Sequence, residues 1–316
     1  MDNGSFLGFP NVVDCHQFSP GFLRSFFPIV EEMRSSLKLP RRPMLEGKIM
    51  LTYFDQFSVR TETSFKAAMV KLGGNVIWQN GGEFSSAVGG GSIQDLMRVL
   101  CSHHPDVIVL RLNQEGSVNQ AVEHSSVPVI NAGDGKLGQH PTQALADIST
   151  IKDRFGNITG QKVVIIGDIN TNRAVRSFAY LLGRYQGMEI HVVSPDKKPI
   201  EEGMADYLQR HDVRCCQTDS LASAIEMADV LYVTGIQMAD NSPLDYESKK
   251  GAPFQVNAKV VAAMKKTAII MHPLPRKKEI HADVDNDPRA VYFTSQIESG
   301  LSVRMALLKM ILAPNT

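Results

Sequence analysis

Short apolar runs alternate with amphipathic, helix-like segments along almost the whole of this 316-residue chain. Such alternation is typical of parallel β-sheets covered by helices on both faces, because each parallel strand needs a long crossover to reach the next. The candidate strands are KIMLTYF (48–54), NVIWQ (75–79), VIVLRL (107–112), VPVIN (127–131), KVVIIGD (162–168), EIHVVSP (189–195), DVLYVTG (229–235) and TAIIMHP (267–273). We predict an α/β protein with two doubly wound parallel sheets of four strands each.

The chain length and one helix-like segment indicate two domains. A chain of 316 residues is about twice as long as a typical domain. The segment HPTQALADISTIKDRFG predicts a linking helix that opens at Pro141 and closes at Gly156. We place the first domain at 1–140 and the second at 141–294, and we expect the amphipathic segment 295–313 to pack back on the first domain as a C-terminal helix.

Composition excludes several classes of partner. Lys plus Arg and Asp plus Glu each number 33, so no overall field attracts nucleic acid or an anionic membrane. No apolar run approaches the ~20 residues of a membrane helix, and the N-terminus lacks the pattern of a signal peptide. The four cysteines show no CxxC spacing, which suits a reducing compartment. We therefore expect a cytoplasmic protein.

Polar side chains follow the candidate strands of the first half. Ser58, Arg60 and Thr61 come after the first strand, where a helix running to Leu72 begins. Hydroxyls, a guanidinium and free N–H groups at a helix N-terminus outline a phosphate site, although a Ser or Thr cap with a solvent-facing arginine has the same pattern.

Further polar positions continue this arrangement. Arg111 ends the third strand, and His140 and Gln143 follow the fourth, one helical turn apart. Polar residues after successive strands favour a binding site, because ligands of doubly wound sheets bind at the carboxyl ends of the strands.

The second half of the chain contains one candidate carboxylate-binding residue and lacks the motifs of several other kinds of active site. Arg173 begins a predicted helix after the fifth strand, where it could meet a carboxylate. Gly167 stands alone where a dinucleotide fingerprint needs three glycines. The histidines show no HExxH motif, and no GxSxG motif or P-loop is present. We therefore predict non-covalent catalysis on an anionic substrate, without metal or cofactor.

Several motifs together resemble one known family. SVRT followed by SF and LGG, then INAGDG, HPTQALADI, MHPLPR, DVDNDPRAVYF and RMALL are similar to the aspartate and ornithine carbamoyltransferase family, and within it to the aspartate carbamoyltransferases. The resemblance runs from about residue 45 to the C-terminus. It implies a carbamoyl phosphate domain, an amino-acid (acceptor) domain, and a homotrimer with active sites at subunit boundaries. The implied reaction is attack of an amine on the carbamoyl carbon with release of phosphate, and it needs no cofactor.

The resemblance also implies roles for individual residues. The phosphate would be held by Ser58, Arg60 and Thr61, with Ser85 supplied by the neighbouring subunit. The carbamoyl oxygen would be polarised by Thr61, Arg111 and His140. The carbamoyl NH2 would be oriented by Gln143 and the backbone carbonyls of Pro273 and Leu274. The α-carboxylate of the acceptor would be bound by Arg173, with Gln237 nearby.

The chain departs from the family pattern where the pattern has positive charge. The loop SSAVGGGS carries Gly89 where the family has a lysine that reaches into the neighbouring subunit. Gly235 replaces the arginine that binds the β-carboxylate of aspartate, Val59 replaces a hydroxyl residue, and Glu62 replaces a further arginine. Losing one group aimed at developing charge costs about 2.7–4 kcal/mol. The resemblance and its departures therefore make aspartate a doubtful acceptor.

Three hypotheses follow. The first is a carbamoyltransferase whose acceptor lacks the β-carboxylate. The second is a catalytically silent homologue with a structural or regulatory role in an assembly. The third is a genuine aspartate carbamoyltransferase of pyrimidine biosynthesis, with substitute cations from elsewhere in the chain. The sequence leaves open which amine is used and whether a regulatory or partner chain is present.

Overall fold

A computed structural model describes residues 11–39, 43–56, 58–80, 91–194, 199–236, 238 and 242–313. The chain divides into two compact units. The first unit comprises the residues up to Ala146 together with those from Glu298 onward, and the second comprises Asp147–Ile297.

The first unit is built on a parallel sheet of four strands in the described part of the chain. The strands are β1 (Ile49–Phe54), β2 (Asn75–Asn80), β3 (Val107–Leu112) and β4 (Val129–Asp134). Their order across the sheet is β2-β1-β3-β4. The helices are α1 (Pro20–Ser36), α2 (Val59–Lys71), α3 (Ile93–Ser102), α4 (Ser117–Glu123) and α5 (Pro141–Phe155), which continues into the second unit.

The second unit is built on a parallel sheet of five strands among its described residues. The strands are β5 (Lys162–Ile166), β6 (Glu189–Val193), β7 (Arg214–Thr218), β8 (Val230–Val233) and β9 (Ile269–Met271), in the order β7-β6-β5-β8-β9. The helices are α6 (Arg173–Leu182), α7 (Glu202–Arg210), α8 (Leu221–Ile225), α9 (Ala258–Ala262) and α10 (Ser295–Leu312), which ends in the first unit.

The predicted α/β architecture is confirmed, but the prediction of four strands in the second sheet is wrong. The missed strand is β7, with the sequence RCCQT. It lies at the edge of the sheet beside β6, and none of its residues is fully buried. An edge strand needs no continuous apolar run, because solvent covers much of it.

The linking helix and the C-terminal helix form as predicted. Helix α5 begins at Pro141 and is followed by Gly156 at φ +70°, a left-handed conformation that favours glycine. The C-terminal part of α10 contacts α1 within the first unit, where Lys309 pairs with Glu32 at 3.1 Å.

In both sheets, carboxyl ends of strands lie beside a reversal of the strand order, where a ligand could bind. The strand order reverses direction next to β1 in the first sheet and next to β5 in the second. Doubly wound sheets bind ligands at the carboxyl ends of strands beside such a reversal. No helix in the described part of the chain is both long and apolar enough to cross a bilayer.

The turn after β5 packs closely against the residue that follows β8, and a substitution in this turn tests that contact. Gly167 has φ +149°, and a Cβ placed there would lie 1.9 Å from Oγ1 of Thr234, the residue that follows the neighbouring strand β8. We predict that Gly167→Ala destabilises the protein by roughly 2–4 kcal/mol, since it combines backbone strain with overpacking. Chemical denaturation measures this loss. Gly203→Ala in α7 is the control, because its Cβ would meet nothing within 4 Å, and it should not destabilise the protein; equal losses would contradict the packing.

Candidate functional site

The N-terminus of α2, which follows β1, is a candidate anion-binding site. Ser58 is the N-cap of α2 and is 8% exposed, but its side chain does not cap the helix. The first turn of α2 therefore has no cap from the Ser58 side chain. A helix N-terminus carries partial positive charge and binds phosphate groups. Arg60 in the same turn adds a guanidinium, whose pKa is lowered by burial.

Thr61 and His140 meet beside this helix end. Oγ1 of Thr61 lies 3.4 Å from Nε2 of His140, and the two residues are 4% and 5% exposed. The backbone carbonyl of His140 accepts the N–H groups of Gln143 and Ala144, so the first turn of α5 fixes the backbone that carries the imidazole. A hydroxyl and an imidazole from residues 79 positions apart are thus brought together.

Arg111 lies at the carboxyl end of β3, beside the end of β1. It is opposite Phe54 in the register of the two strands, and its guanidinium donates to the carbonyl of Ala132 in β4 at 3.3 Å. Asp55 accepts the N–H of Asn113 at 3.1 Å and ties the two strand ends together. The guanidinium is therefore held at the edge of the sheet where β1, β3 and β4 end.

Glu62, which replaces an arginine of the family pattern, pairs with a lysine of the same helix, α2. Its side chain is buried and pairs with Nζ of Lys66 at 2.6 Å. Lys66 also lies 4.4 Å above the ring of Trp78 in β2. An uncompensated buried carboxylate would oppose anion binding at this helix end. The pair with Lys66 offsets that charge, so Glu62 is compatible with a phosphate site.

In the second unit, Arg173 is the first residue of α6, after β5. Asn172 caps this helix by accepting the N–H groups of Ala174 and Val175 at 3.0 and 3.4 Å. The preceding turn is shaped by Asp168, which accepts the hydroxyl of Thr171 at 2.7 Å. The half-buried Arg173 side chain therefore starts from a helix N-terminus that itself favours a carboxylate.

The loop after β9 carries Pro273 and Leu274 and is held by a buried histidine. Nδ1 of His272 accepts the N–H of Leu274 at 2.6 Å, and Nε2 lies 2.9 Å from Oε1 of Glu279. Because a backbone N–H can only donate, Nδ1 is the acceptor and Nε2 donates to the carboxylate. Leu274 has φ +55°, which is unusual for a residue with a Cβ. The imidazole thus fixes an unfavourable backbone conformation.

Gly235 lies two residues after the end of β8, which pairs with β9. It is exposed, and a Cβ placed there would meet nothing within 4 Å. The position therefore has room for a Cβ. Ser85, Gly89 and Gln237 lie outside the described residues.

Sequence reasoning missed the residues that support the Pro273–Leu274 loop. These are His272, Glu279, Gln296 and Asp147, all buried. The signal for His272 and Glu279 was their position on either side of two prolines, in HPLPRKKE. Among the described residues, no group of three or more His, Cys, Asp or Glu could hold a metal ion.

Matches to family models decide the family. A model described as "Aspartate/ornithine carbamoyltransferase, carbamoyl-P binding domain" matches residues 11–153, and one described as "Asp/Orn binding domain" matches residues 159–311. The chain belongs to the aspartate and ornithine carbamoyltransferase family. The resemblance seen in the motifs is thereby confirmed.

Individual relatives extend the match over nearly the whole chain. A chloroplastic aspartate carbamoyltransferase of Oryza sativa is 41% identical over 311 residues, covering 96% of this chain and 85% of its own. An aspartate carbamoyltransferase catalytic subunit of Methanocaldococcus jannaschii is 41% identical, covering 91% of this chain and 94% of its own. The structure of Trypanosoma cruzi aspartate transcarbamoylase with carbamoyl phosphate and aspartate has a TM-score of 0.87 at 32% identity, covering 96% of this chain and 95% of that one. This carbamoyltransferase-family chain therefore closely resembles the aspartate carbamoyltransferases.

We expect the His272–Glu279 pair to make the free energy of unfolding depend on pH. Burial would raise the pKa of Glu279, but hydrogen bonds from Nε2 of His272 and from the backbone N–H groups of Glu279 and Lys277 hold that pKa below its usual value. A carboxyl group with a lowered pKa stabilises the folded state above its unfolded pKa, and this stabilisation is lost as the pH falls through the folded pKa. We predict that Glu279→Gln lowers the free energy of unfolding by about 1–3 kcal/mol at pH 7. The difference from the unsubstituted protein should shrink below about pH 4.

Urea unfolding over a pH series measures this difference. Glu247→Gln is the control, because Glu247 forms an exposed pair with Lys278 and exposed pairs contribute little. A loss for Glu279→Gln that is constant down to acid pH would show that the carboxylate charge is not the stabilising feature.

Proposed function

We propose that this protein transfers the carbamoyl group of carbamoyl phosphate to the amine of an amino-acid-like acceptor. The observation that carries the proposal is the buried contact between Thr61 and His140 beside the N-terminus of α2. It brings two polarising groups to an anion-binding helix end in a chain of the carbamoyltransferase family.

The first unit has the groups that this donor substrate requires. The N-terminus of α2, with Ser58 and Arg60, would bind the phosphate and stabilise its charge as it leaves. Thr61, Arg111 and His140 would bind the carbamoyl oxygen, which gains negative charge when the amine attacks the carbon. The new C–N bond forms, the C–O bond to phosphate breaks, and the proton lost by the amine nitrogen passes to the leaving phosphate. These steps use no metal or cofactor.

The remaining roles fall to the amide and carbonyl groups and to the second unit. Gln143 and the carbonyls of Pro273 and Leu274 would accept or donate hydrogen bonds around the carbamoyl NH2. Arg173 would bind the α-carboxylate of the acceptor as a bidentate fork, with Gln237 nearby. Ser85 would act from a neighbouring subunit.

The identity of the acceptor amine is a separate part of the proposal. Trypanosoma cruzi aspartate transcarbamoylase binds carbamoyl phosphate and aspartate, and the similarity of the whole chain favours aspartate and a role in pyrimidine biosynthesis. Against this, Gly235 and Gly89 supply no cation for a second carboxylate. We propose that aspartate is a weak acceptor and that an amine with one carboxylate reacts better.

A substrate panel tests the function. The purified protein is given carbamoyl phosphate with aspartate, ornithine, monocarboxylate amino acids or simple amines, and phosphate release and the N-carbamoyl product are measured. We expect phosphate release that depends on an amine. No amine-dependent release in the panel, together with no calorimetric binding of carbamoyl phosphate, would support the silent homologue instead. Efficient turnover of aspartate at low concentration would identify a genuine aspartate carbamoyltransferase.

Thr61 is the most direct residue to test. Thr61→Val keeps the shape of the side chain but removes the hydroxyl, so kcat should fall roughly 10²- to 10³-fold, as for other donors to a developing negative charge. Thr63→Val is the matched control, because Thr63 is exposed on the same helix, and its activity should be unchanged. Equal kcat values for the two variants would show that the Thr61 hydroxyl takes no part in the reaction.

Gly235 tests the choice of acceptor. The open space around its Cβ position allows Gly235→Arg to introduce a cation without a clash at that atom. We predict that kcat/KM for aspartate rises at least tenfold, about 1.4 kcal/mol, relative to a monocarboxylate amino acid. Gly235→Gln is the uncharged control. An unchanged ratio would show that this position does not select the acceptor.

We also propose a cytoplasmic homotrimer. The basis for the trimer is the family resemblance, with Ser85 acting across a subunit boundary. The basis for the cytoplasmic location is that the four cysteines show no CxxC spacing. Sedimentation velocity of the purified protein tests the trimer, and a monomer at micromolar concentration would contradict it.

A further inference from the structure

A continuous chain of buried hydrogen bonds runs through the second unit to the Pro273–Leu274 loop. The hydroxyl of Tyr232 donates to Oδ2 of Asp147 at 2.8 Å, and Nε2 of Gln296 donates to Oδ1 at 2.7 Å. Oε1 of Gln296 accepts the backbone N–H of His272 at 3.0 Å. Asp147, Gln296 and His272 are all less than 5% exposed.

The direction of each bond in this chain is fixed by its neighbours. The N–H of His272 can only donate, so it faces the oxygen of the Gln296 amide, and the NH2 group faces Asp147. Burial and the Asp147 carboxylate raise the pKa of Tyr232, which keeps its hydroxyl protonated and donating. Reversing the Gln296 amide would place its NH2 against the N–H of His272. The carboxylate of Asp147 therefore sets the orientation of the amide.

His272 passes this constraint to the loop. Gln296 holds the backbone of His272, Glu279 holds its ring at Nε2, and Nδ1 accepts the N–H of Leu274. Leu274 adopts φ +55°, which a residue with a Cβ takes only when its surroundings hold it there. The position of the Leu274 backbone thus depends on a side chain of α10.

The polar residues of this hydrogen-bond chain indicate a role beyond stabilising the fold. A buried carboxylate and amide are costly to desolvate, and apolar side chains of similar volume often stabilise a core as well or better. Asp147 is the first residue of the second unit on α5, and Gln296 is its penultimate residue on α10. The two helices that connect the units are therefore joined, by polar groups of one defined orientation, to a loop that carries a proposed substrate contact.

We propose that Gln296, anchored on Asp147, is a positioning residue that holds the backbone of the Pro273–Leu274 loop through His272. The effect on turnover rests on the proposed function, in which the carbonyls of this loop orient the carbamoyl NH2. The effect on loop geometry does not rest on the proposed function.

The experiment compares two substitutions that each remove a donor from Asp147. Gln296→Met keeps the length of the side chain but cuts the link to His272. Tyr232→Phe is the matched control, because it removes a hydrogen bond from the same carboxylate but leaves the link to the loop. Hydrogen exchange at the Leu274 amide, kcat and KM for carbamoyl phosphate, and thermal unfolding are measured for both.

We expect Gln296→Met to speed exchange at Leu274 and to lower kcat ~10- to 100-fold, the effect of a small misplacement of a reacting group. Tyr232→Phe should retain slow exchange and a kcat close to that of the unsubstituted protein, even where its thermal stability falls by a similar amount. If Gln296→Met does not fold, Gln296→Asn, which is too short to reach both partners, is measured with the same readouts and the same expected outcome.

The outcomes separate this inference from the proposed function. Slow Leu274 exchange in the Gln296 variant, or equal acceleration in both variants, would overturn the positioning role. If the unsubstituted protein transfers no carbamoyl group, the proposed function fails, and exchange at Leu274 still decides whether Gln296 holds the loop.

Discussion

Parallel pairing of β1, β3 and β4 is the constraint on which the first half of the site depends. The register that sets Phe54 opposite Arg111 brings the ends of these strands to one edge. Residues from three distant segments then meet, and the contact between Thr61 and His140 is the result. Because the strands are buried on both faces, a slip in register would expose apolar side chains. The packing of the sheet therefore fixes the geometry of the polar groups.

Charge is distributed in a way that favours an anionic donor substrate and leaves the acceptor open. The N-terminus of α2 and Arg60 supply positive charge, and Lys66 neutralises the acidic residue Glu62 in the same helix. After the end of β8, Gly235 has no atom within 4 Å of its Cβ position. The chain thus keeps the groups that the family resemblance implies for the carbamoyl moiety and for one carboxylate. The chain is similar to aspartate carbamoyltransferases over nearly its whole length.

Local patterns predicted the buried strands and the long helices, whereas polar tertiary contacts were not predictable. The strand at 107–112 and the start of α5 at Pro141 follow directly from apolar runs and from the preference of proline for the first helical position. The strand β7 was missed because an edge strand can be polar. The chain from Asp147 through Gln296 to His272 joins residues up to 149 positions apart, and no spacing rule connects them.

The central claim is that the first unit recognises the carbamoyl group as well as the phosphate. Calorimetric titration with carbamoyl phosphate and, separately, with inorganic phosphate measures this directly. The account predicts tighter binding of carbamoyl phosphate, because Thr61, Arg111 and His140 add contacts that phosphate alone lacks. Equal affinity for the two ligands, or no binding of carbamoyl phosphate by a folded protein, would contradict it.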